Sequence, residues 1–169
     1  MKLDLGCGPK KREGFTGVDR LEMPGVDLVY DLRMAPWPWS DDSVEEVYCG
    51  HFIEHLPGAG RIAFFNELYR VMKPGGTAEI VTPDWSNASA YGDPTHEWPP
   101  MSYWFAAYLD KQWRDKEAPH VPYTCDFTFR YGYTMEDWLR SESEEARKFA
   151  LGHYLGAARE LKVVLVKRA

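Results

Sequence analysis

Six residues near the amino terminus constrain this chain more than any others. Leu3-Asp4-Leu5 reads as a buried strand, and Gly6-Cys7-Gly8 breaks it at once. A strand that ends in Gly-x-Gly turns sharply and lets the backbone approach a ligand where a Cβ would stand in the way. The next two apolar segments, Phe15–Asp19 and Asp27–Asp31, each end in an acid. A tight turn accounts for the glycines alone. Two strand-terminal acids in register with it narrow the reading to an edge that binds a nucleoside: Asp19 is placed to accept ribose hydroxyls, and Asp31 with the Leu32 N–H to meet an adenine edge.

The rest of the chain continues the alternation. Val44–Cys49 is a strand after a Ser-Asp-Asp-Ser turn, Thr77–Thr82 another after Lys73-Pro74-Gly75-Gly76, and Leu161–Lys167 a third. Ile62, Phe65, Leu68, Tyr69 and Met72 recur at helical spacing, and Pro74-Gly75-Gly76 stops that helix. A second helix is expected over Glu136–Leu151, with Thr134 as its N-cap and Asp137 in the acidic third position. Strands alternating with helical patterns predict an α/β fold with a mostly parallel sheet. The 169 residues suit a single domain spanning 1–169. Residues 85–132, rich in Trp, Tyr, Pro and His, form an insertion or lid, with a helix near Met101–Lys111 and a strand near Thr124–Tyr131.

Composition removes several classes of function. A net charge of −6 lacks the basic footprint of a protein that grips nucleic acid by its phosphates. Three cysteines with no CxxC pair exclude a disulfide framework or a zinc knuckle, and a reducing cytoplasm is the expected compartment. No apolar run approaches the roughly 20 residues of a membrane span, and no signal-peptide core precedes the first polar residues.

At three points the residues resemble the class I S-adenosylmethionine-dependent methyltransferases of the type 11-like branch. Leu3-Asp4-Leu5-Gly6-Cys7-Gly8 looks like that family's first motif. His51-Phe52-Ile53-Glu54-His55-Leu56 resembles the segment after its fourth strand, and Arg70-Val71-Met72-Lys73-Pro74-Gly75-Gly76 its turn into the fifth. Gly92-Asp93-Pro94-Thr95-His96 is similar to a segment of compact predicted methyltransferases. The resemblance implies a Rossmann-like sheet with an antiparallel C-terminal strand and S-adenosylmethionine as cofactor. It sets Asp4, Gly6, Cys7 and Gly8 against the methionine part, Asp19 and Arg20 at the ribose, Asp31 and Leu32 at the adenine, and His51 near the sulfonium. Glu54-His55 would cap or anchor the next segment. One departure is plain: Gly8 and Asp19 lie only 11 positions apart, so the first crossover helix is shortened to a turn or absent. The chain also starts directly on its first strand, and the flank this opens would suit a homo-oligomer.

Methyl transfer from a sulfonium is an in-line displacement that depends on proximity, with a base helping where the acceptor is a protonated oxygen or nitrogen. His51 and His96, then Asp93, are the candidate bases. Two have structural alternatives: His51 ordering the pocket, and His96 hydrogen-bonded within the Asp-Pro-Thr-His turn. Asp93, His96 and His120 contain the residue types of a two-His-one-carboxylate metal site, but they are spread over an unperiodic segment and no metal is expected. Trp85, Tyr91, Trp98, Tyr103, Trp104 and Phe105 form either an aromatic box or lid packing. Trp37-Pro38-Trp39 borders the adenine or packs on the surface. Lys10-Lys11-Arg12 is a solvated loop or an attractor for an anionic acceptor, and Glu142–Lys148 a solvated helix. The expected function is methyl transfer to a small-molecule acceptor. A cofactor-fold binding protein without catalysis is the alternative. A nicotinamide oxidoreductase is disfavoured, because Lys11 stands where Gly-x-Gly-x-x-Gly needs its third glycine.

Overall fold

Burial alternates along the central strands, so the core is built against one face of the sheet. A computed structural model describes residues 1–169. Seven strands, β1 (Lys2–Leu5), β2 (Thr16–Asp19), β3 (Leu28–Val29), β4 (Val44–Gly50), β5 (Met72–Pro83), β6 (Phe127–Met135) and β7 (Ala158–Lys167), form one sheet in the order β3-β2-β1-β4-β5-β7-β6. The first five pair in parallel, whereas β7 runs antiparallel to both β5 and β6. Leu3, Leu5, Val47, Cys49, Ala78, Ile80, Leu161, Val163 and Leu165 enter the main core. The intervening positions face the other way and, Val164 apart, are polar: Arg12 lies over the Tyr48 ring at 4.6 Å and pairs with Glu79 at 3.5 Å. Parallel sheets are ordinarily covered on both faces. Here residues 6–15, which link β1 to β2, contain no helix, in line with the short spacing. A loop held by Arg12 covers that face instead.

The helix that fills the core is α1 (Gly58–Val71), the crossover from β4 to β5. Its buried stripe is Arg61, Phe64, Phe65, Leu68 and Val71. This is one residue out of phase with the expected face at Ile62 and Tyr69, because a charged residue occupies a core position. Arg61 is accommodated there by donating to the carbonyls of Ile53, Pro99 and Glu97. The helix stops before Pro74, as the sequence predicts. The backbone is strand-like from Met72, however, and the pairing jumps from Val44↔Met72 to Glu46↔Thr77, so Lys73-Pro74-Gly75-Gly76 forms a bulge within β5.

Two expectations need correction. Only Leu28–Val29 of the segment 27–31 is strand. Asp27 is drawn aside, accepting from the Gly17 N–H (2.7 Å) and pairing with Lys11 (2.7 Å). The helix expected over 136–151 starts late. Thr134 pairs with Glu160 in the β6–β7 ladder and caps nothing; a 3₁₀ turn covers Asp137–Leu139, and the final helix spans Glu144–His153. Ser143 caps it, its Oγ accepting from the Ala146 N–H at 3.1 Å, with Glu144 and Glu145 favourable in the first turn. Between β5 and β6 lie α2 (Ser89–Gly92), α3 (Trp104–Ala107) and α4 (Lys111–Glu117), so the final helix is α5. The aromatic-rich segment thus supplies short helices and, from Phe127, the edge strand β6. No helix is long and apolar enough to cross a membrane.

Candidate functional site

The carboxyl ends of β1, β2, β3 and β4 meet in a cleft of about 380 Å³ lined by Gly6, Asp19, Arg20, Tyr30, Asp31, Leu32, Arg33, His51, Phe52, His55, Leu56 and Thr95. That volume lies in the range of small-molecule sites, and the position is the switch point where ligands bind to open α/β sheets. Six residues expected from sequence converge here: Gly6, Asp19, Arg20, Asp31, Leu32 and His51. Tyr30, Arg33, Phe52 and Thr95 join them. Of these, Arg33 carried a local signal, two positions beyond an acid, while Phe52 and Thr95 lie within segments already singled out.

The glycine turn is held by carboxylates in place of a helix. Asp4 is 2 % exposed and accepts from the Arg12 N–H at 2.7 Å. Burial, its largest influence, pushes its carboxyl above the ordinary value. It does not line the cleft. Gly8 also stands off the cleft wall, its N–H donating to Asp19 Oδ2 at 3.0 Å. Asp19 Oδ1 accepts from Leu21 N–H at 3.1 Å. A carboxylate oxygen has two lone pairs, so Asp19 is positioned by backbone donors and keeps acceptor capacity for a ligand hydroxyl. Gly6 adopts φ +70°, and a Cβ there would come within 2.7 Å of the Phe52 ring, so glycine is required for both conformation and space. Cys7 lies beside the turn and does not line the cleft; burial, then the charges of Asp4 and Asp19, push its thiol up to about 11. Such a thiol is mostly protonated at neutral pH and a weak nucleophile there.

On the next wall, Arg33 grips Asp31 in a fork, Nε to Oδ1 at 2.9 Å and Nη2 to Oδ2 at 2.6 Å, and this holds the Asp31 carboxyl down to about 2. Trp37 donates its indole N–H to the Leu32 carbonyl (3.0 Å) and packs on Phe64 with ring centroids 5.3 Å apart. At 3 % exposure it is a core residue that braces the loop, so the surface alternative for Trp37 does not hold. The Leu32 N–H has no partner within the protein.

His51 follows β4 directly in the left-handed region, φ +54°, which turns its ring over the cleft. Nδ1 lies 3.2 Å from Glu54 Oε1 and Nε2 3.0 Å from Glu160 Oε1 on β7. Carboxylates only accept, so a nitrogen donates where it carries the proton, and the protonated ring donates through both. The bond to Glu54 raises the histidine pKa more than burial lowers it. The structure separates His51 from Asp93 and His96, neither of which lines the cleft. Asp93 Oδ1 accepts from Thr95 N–H (2.8 Å) and Thr95 Oγ1 (2.7 Å), and His96 Nδ1 lies 3.1 Å from the Ala90 carbonyl. His120 lies in an exposed turn and is not part of the Glu54, His55 and His96 cluster. Nor do the aromatics gather into a box: Phe105 stacks on Phe65 in the core, Tyr103 on Tyr131, and Trp98 is 75 % exposed. Lys11 is paired with Asp27, and Lys148 with Glu144.

The strand order, the glycine turn and the polar groups at the carboxyl ends together define a Rossmann-like class I methyltransferase fold. Residues 17–80 match the family model described as "Methyltransferase domain". Solved structures agree on the fold. A SAM-dependent methyltransferase from Archaeoglobus fulgidus aligns with TM-score 0.68 at 20 % identity, over 98 % of this chain and 85 % of that one. A chain of a Haloferax volcanii complex containing the Trm112 methyltransferase activator aligns with TM-score 0.59 at 17 % identity, over 99 % and 82 %. A Methanosarcina mazei protein of the SAM-dependent methyltransferases aligns with TM-score 0.58 at 15 % identity, over 99 % and 92 %. Comparison with curated protein sequences gives no match. S-adenosylmethionine is therefore the cofactor of this class to test against the cleft. The chain fits it: a glycine whose Cβ would fill the turn, acids closing β2 and following β3, and an unpaired N–H at Leu32.

Proposed function

We propose that this chain methylates a small-molecule acceptor held at the mouth of the cleft, with Gly6, Asp19, Arg20, Asp31, Leu32 and His51 as its cofactor-binding residues. The convergence of these six at the carboxyl ends of β1 to β4 carries the reading. S-adenosylmethionine, when bound, supplies a methyl group on a sulfonium, which a lone pair can displace in line. Asp19 would accept the ribose hydroxyls, Leu32 N–H and Asp31 would meet the adenine, and the Cβ-free turn at Gly6 would admit the methionine part.

The chain's own contribution is orientation. His51 has both ring nitrogens engaged by carboxylates, and His96 stands behind His55, so neither presents a free nitrogen to the cleft as a base. His51 instead positions the acceptor beside the methyl group, and proximity of this kind is worth several kcal/mol. The net charge of −6 favours a small acceptor over a polyanion. Three free cysteines, two of them buried, support a reducing cytoplasmic setting.

Calorimetric titration with S-adenosylmethionine and S-adenosylhomocysteine tests the site. Micromolar binding is expected, weakened at least tenfold in Asp19→Ala. An intact, folded protein that binds neither compound overturns the proposal.

A further inference from the structure

Glu54, His55 and His96 come together directly behind the cleft wall, with one ligand-capable atom from each within 4.8 Å of the others. They come from two segments, the 3₁₀ turn after β4 and the Asp-Pro-Thr-His turn. Two histidines and a carboxylate are the ligand set of divalent-metal sites that keep coordination positions open. Three features of the surroundings point the same way.

The first is the carboxylate. Glu54 is 5 % exposed; Oε1 bonds to His51, while Oε2 is buried and has no partner. An orphaned anionic oxygen at such depth is costly unless something positive meets it. The second is the pair of tautomers. Asp93 Oδ1 accepts from Thr95 Oγ1–H at 2.7 Å, so Thr95 Oγ1 in turn accepts from His55 Nδ1–H at 2.9 Å. His96 Nδ1–H donates to the Ala90 carbonyl at 3.1 Å. Both rings thus hold their proton on Nδ1 and leave the Nε2 lone pair free, which is how metal-binding histidines are oriented by their outer partners. The third is the frame. Arg61 donates to the carbonyls of Ile53, Pro99 and Glu97, tying the segment that carries Glu54 and His55 to the segment that follows His96.

We propose that Glu54, His55 and His96 bind one divalent cation of the Mn2+ or Zn2+ type, with Asp93 and Thr95 as positioning residues. Donors about 2.1 Å from a tetrahedral ion lie roughly 3.4 Å apart, so binding draws the three together by side-chain adjustment. His55 and Thr95 also line the cleft, so the ion's open positions serve an acceptor that offers oxygen donors. This last role rests on the methyltransferase reading, but the metal site itself does not.

Tag-free, EDTA-treated protein is titrated calorimetrically with MnCl2 and, separately, ZnCl2, and Mn2+ binding is followed by electron paramagnetic resonance. One saturable site per chain is expected. His55→Ala and His96→Ala should each weaken it at least tenfold, and Asp93→Asn by about 10–100-fold through the orienting chain. Thermal melts and S-adenosylhomocysteine titration of His96→Ala, which does not line the cleft, show that the fold is kept. No saturable binding of either ion to the wild-type protein, or affinity unchanged in both histidine variants, overturns the proposal. Retained S-adenosylhomocysteine binding in that case leaves the methyltransferase reading standing, so the two failures are distinguishable.

Discussion

Replacing Arg61 with methionine removes the strut on which the back of the site depends. Arg61 is 5 % exposed, and its guanidinium donates Nε to the Ile53 carbonyl (3.2 Å), Nη1 to Pro99 (2.7 Å) and Nη2 to Glu97 (3.0 Å). Burial opposes the charge, lowering the arginine pKa from its ordinary value. Methionine matches the stem but offers no donor, so the Pro99 and Glu97 carbonyls lose their protein partner while the Ile53 carbonyl keeps the Leu56 N–H, at about 1–3 kcal/mol for each bond lost. Rehydration of carbonyls that relax outward, and relief of the desolvated charge, offset part of this. The net expectation is a loss of about 3–5 kcal/mol. In a domain of this size 1 kcal/mol moves Tm by about 2–4 °C, so Tm should fall by roughly 6–20 °C. Urea unfolding followed by tryptophan fluorescence gives the free energy, and scanning calorimetry gives Tm. Arg61→Lys keeps a charge but not the planar fork, and should fall between wild type and Arg61→Met. A loss below about 1 kcal/mol for Arg61→Met would refute the view that these bonds hold the two segments together.

Three further outcomes follow from the cleft. Arg33 holds the Asp31 carboxyl at about 2. Its folded-state pKa is depressed, so the stabilisation from this pair is complete above the unfolded value near 3.9 and is lost only as pH falls toward 2. Carboxyl carbon shifts followed by NMR should place the Asp31 midpoint near 2 in the wild type and near 4 in Arg33→Ala; an unshifted wild-type midpoint contradicts the fork. Gly6→Ala should lower S-adenosylhomocysteine affinity at least tenfold, because the new Cβ meets Phe52 at 2.7 Å and φ +70° costs a non-glycine residue about 1–2 kcal/mol; unchanged affinity in calorimetry would show that the turn is not part of the site. With its thiol near 11, Cys7 should react slowly with iodoacetamide at pH 7.5 and speed up steeply above pH 9, as mass spectrometry can follow. Rapid labelling at pH 7.5 would mean that the buried, acid-flanked setting is wrong.

Much of this protein is local in origin and so legible from the chain alone. Leu3-Asp4-Leu5-Gly6 is a strand and turn because its residues alternate and then lose their side chain, and Asp19 and Asp31 sit near strand ends because the apolar runs end there. The short spacing from Gly8 to Asp19 forbids a crossover helix whatever surrounds it. The tertiary structure decided where long-range pairing outweighs local preference. Thr134 has the chemistry of an N-cap, yet the ladder with Glu160 on β7 takes its backbone, and the helix waits for Ser143. Arg61 reads as a surface residue of an amphipathic helix until three carbonyls from two other segments meet it in the core. Sequence spacing grouped Asp93, His96 and His120, whereas folding brings His96 to Glu54 and His55, 41 positions away from the latter. Periodicity reports which face of an element is apolar. It carries no record of which polar groups from distant segments share that face, because their partners are set only when the chain closes on itself.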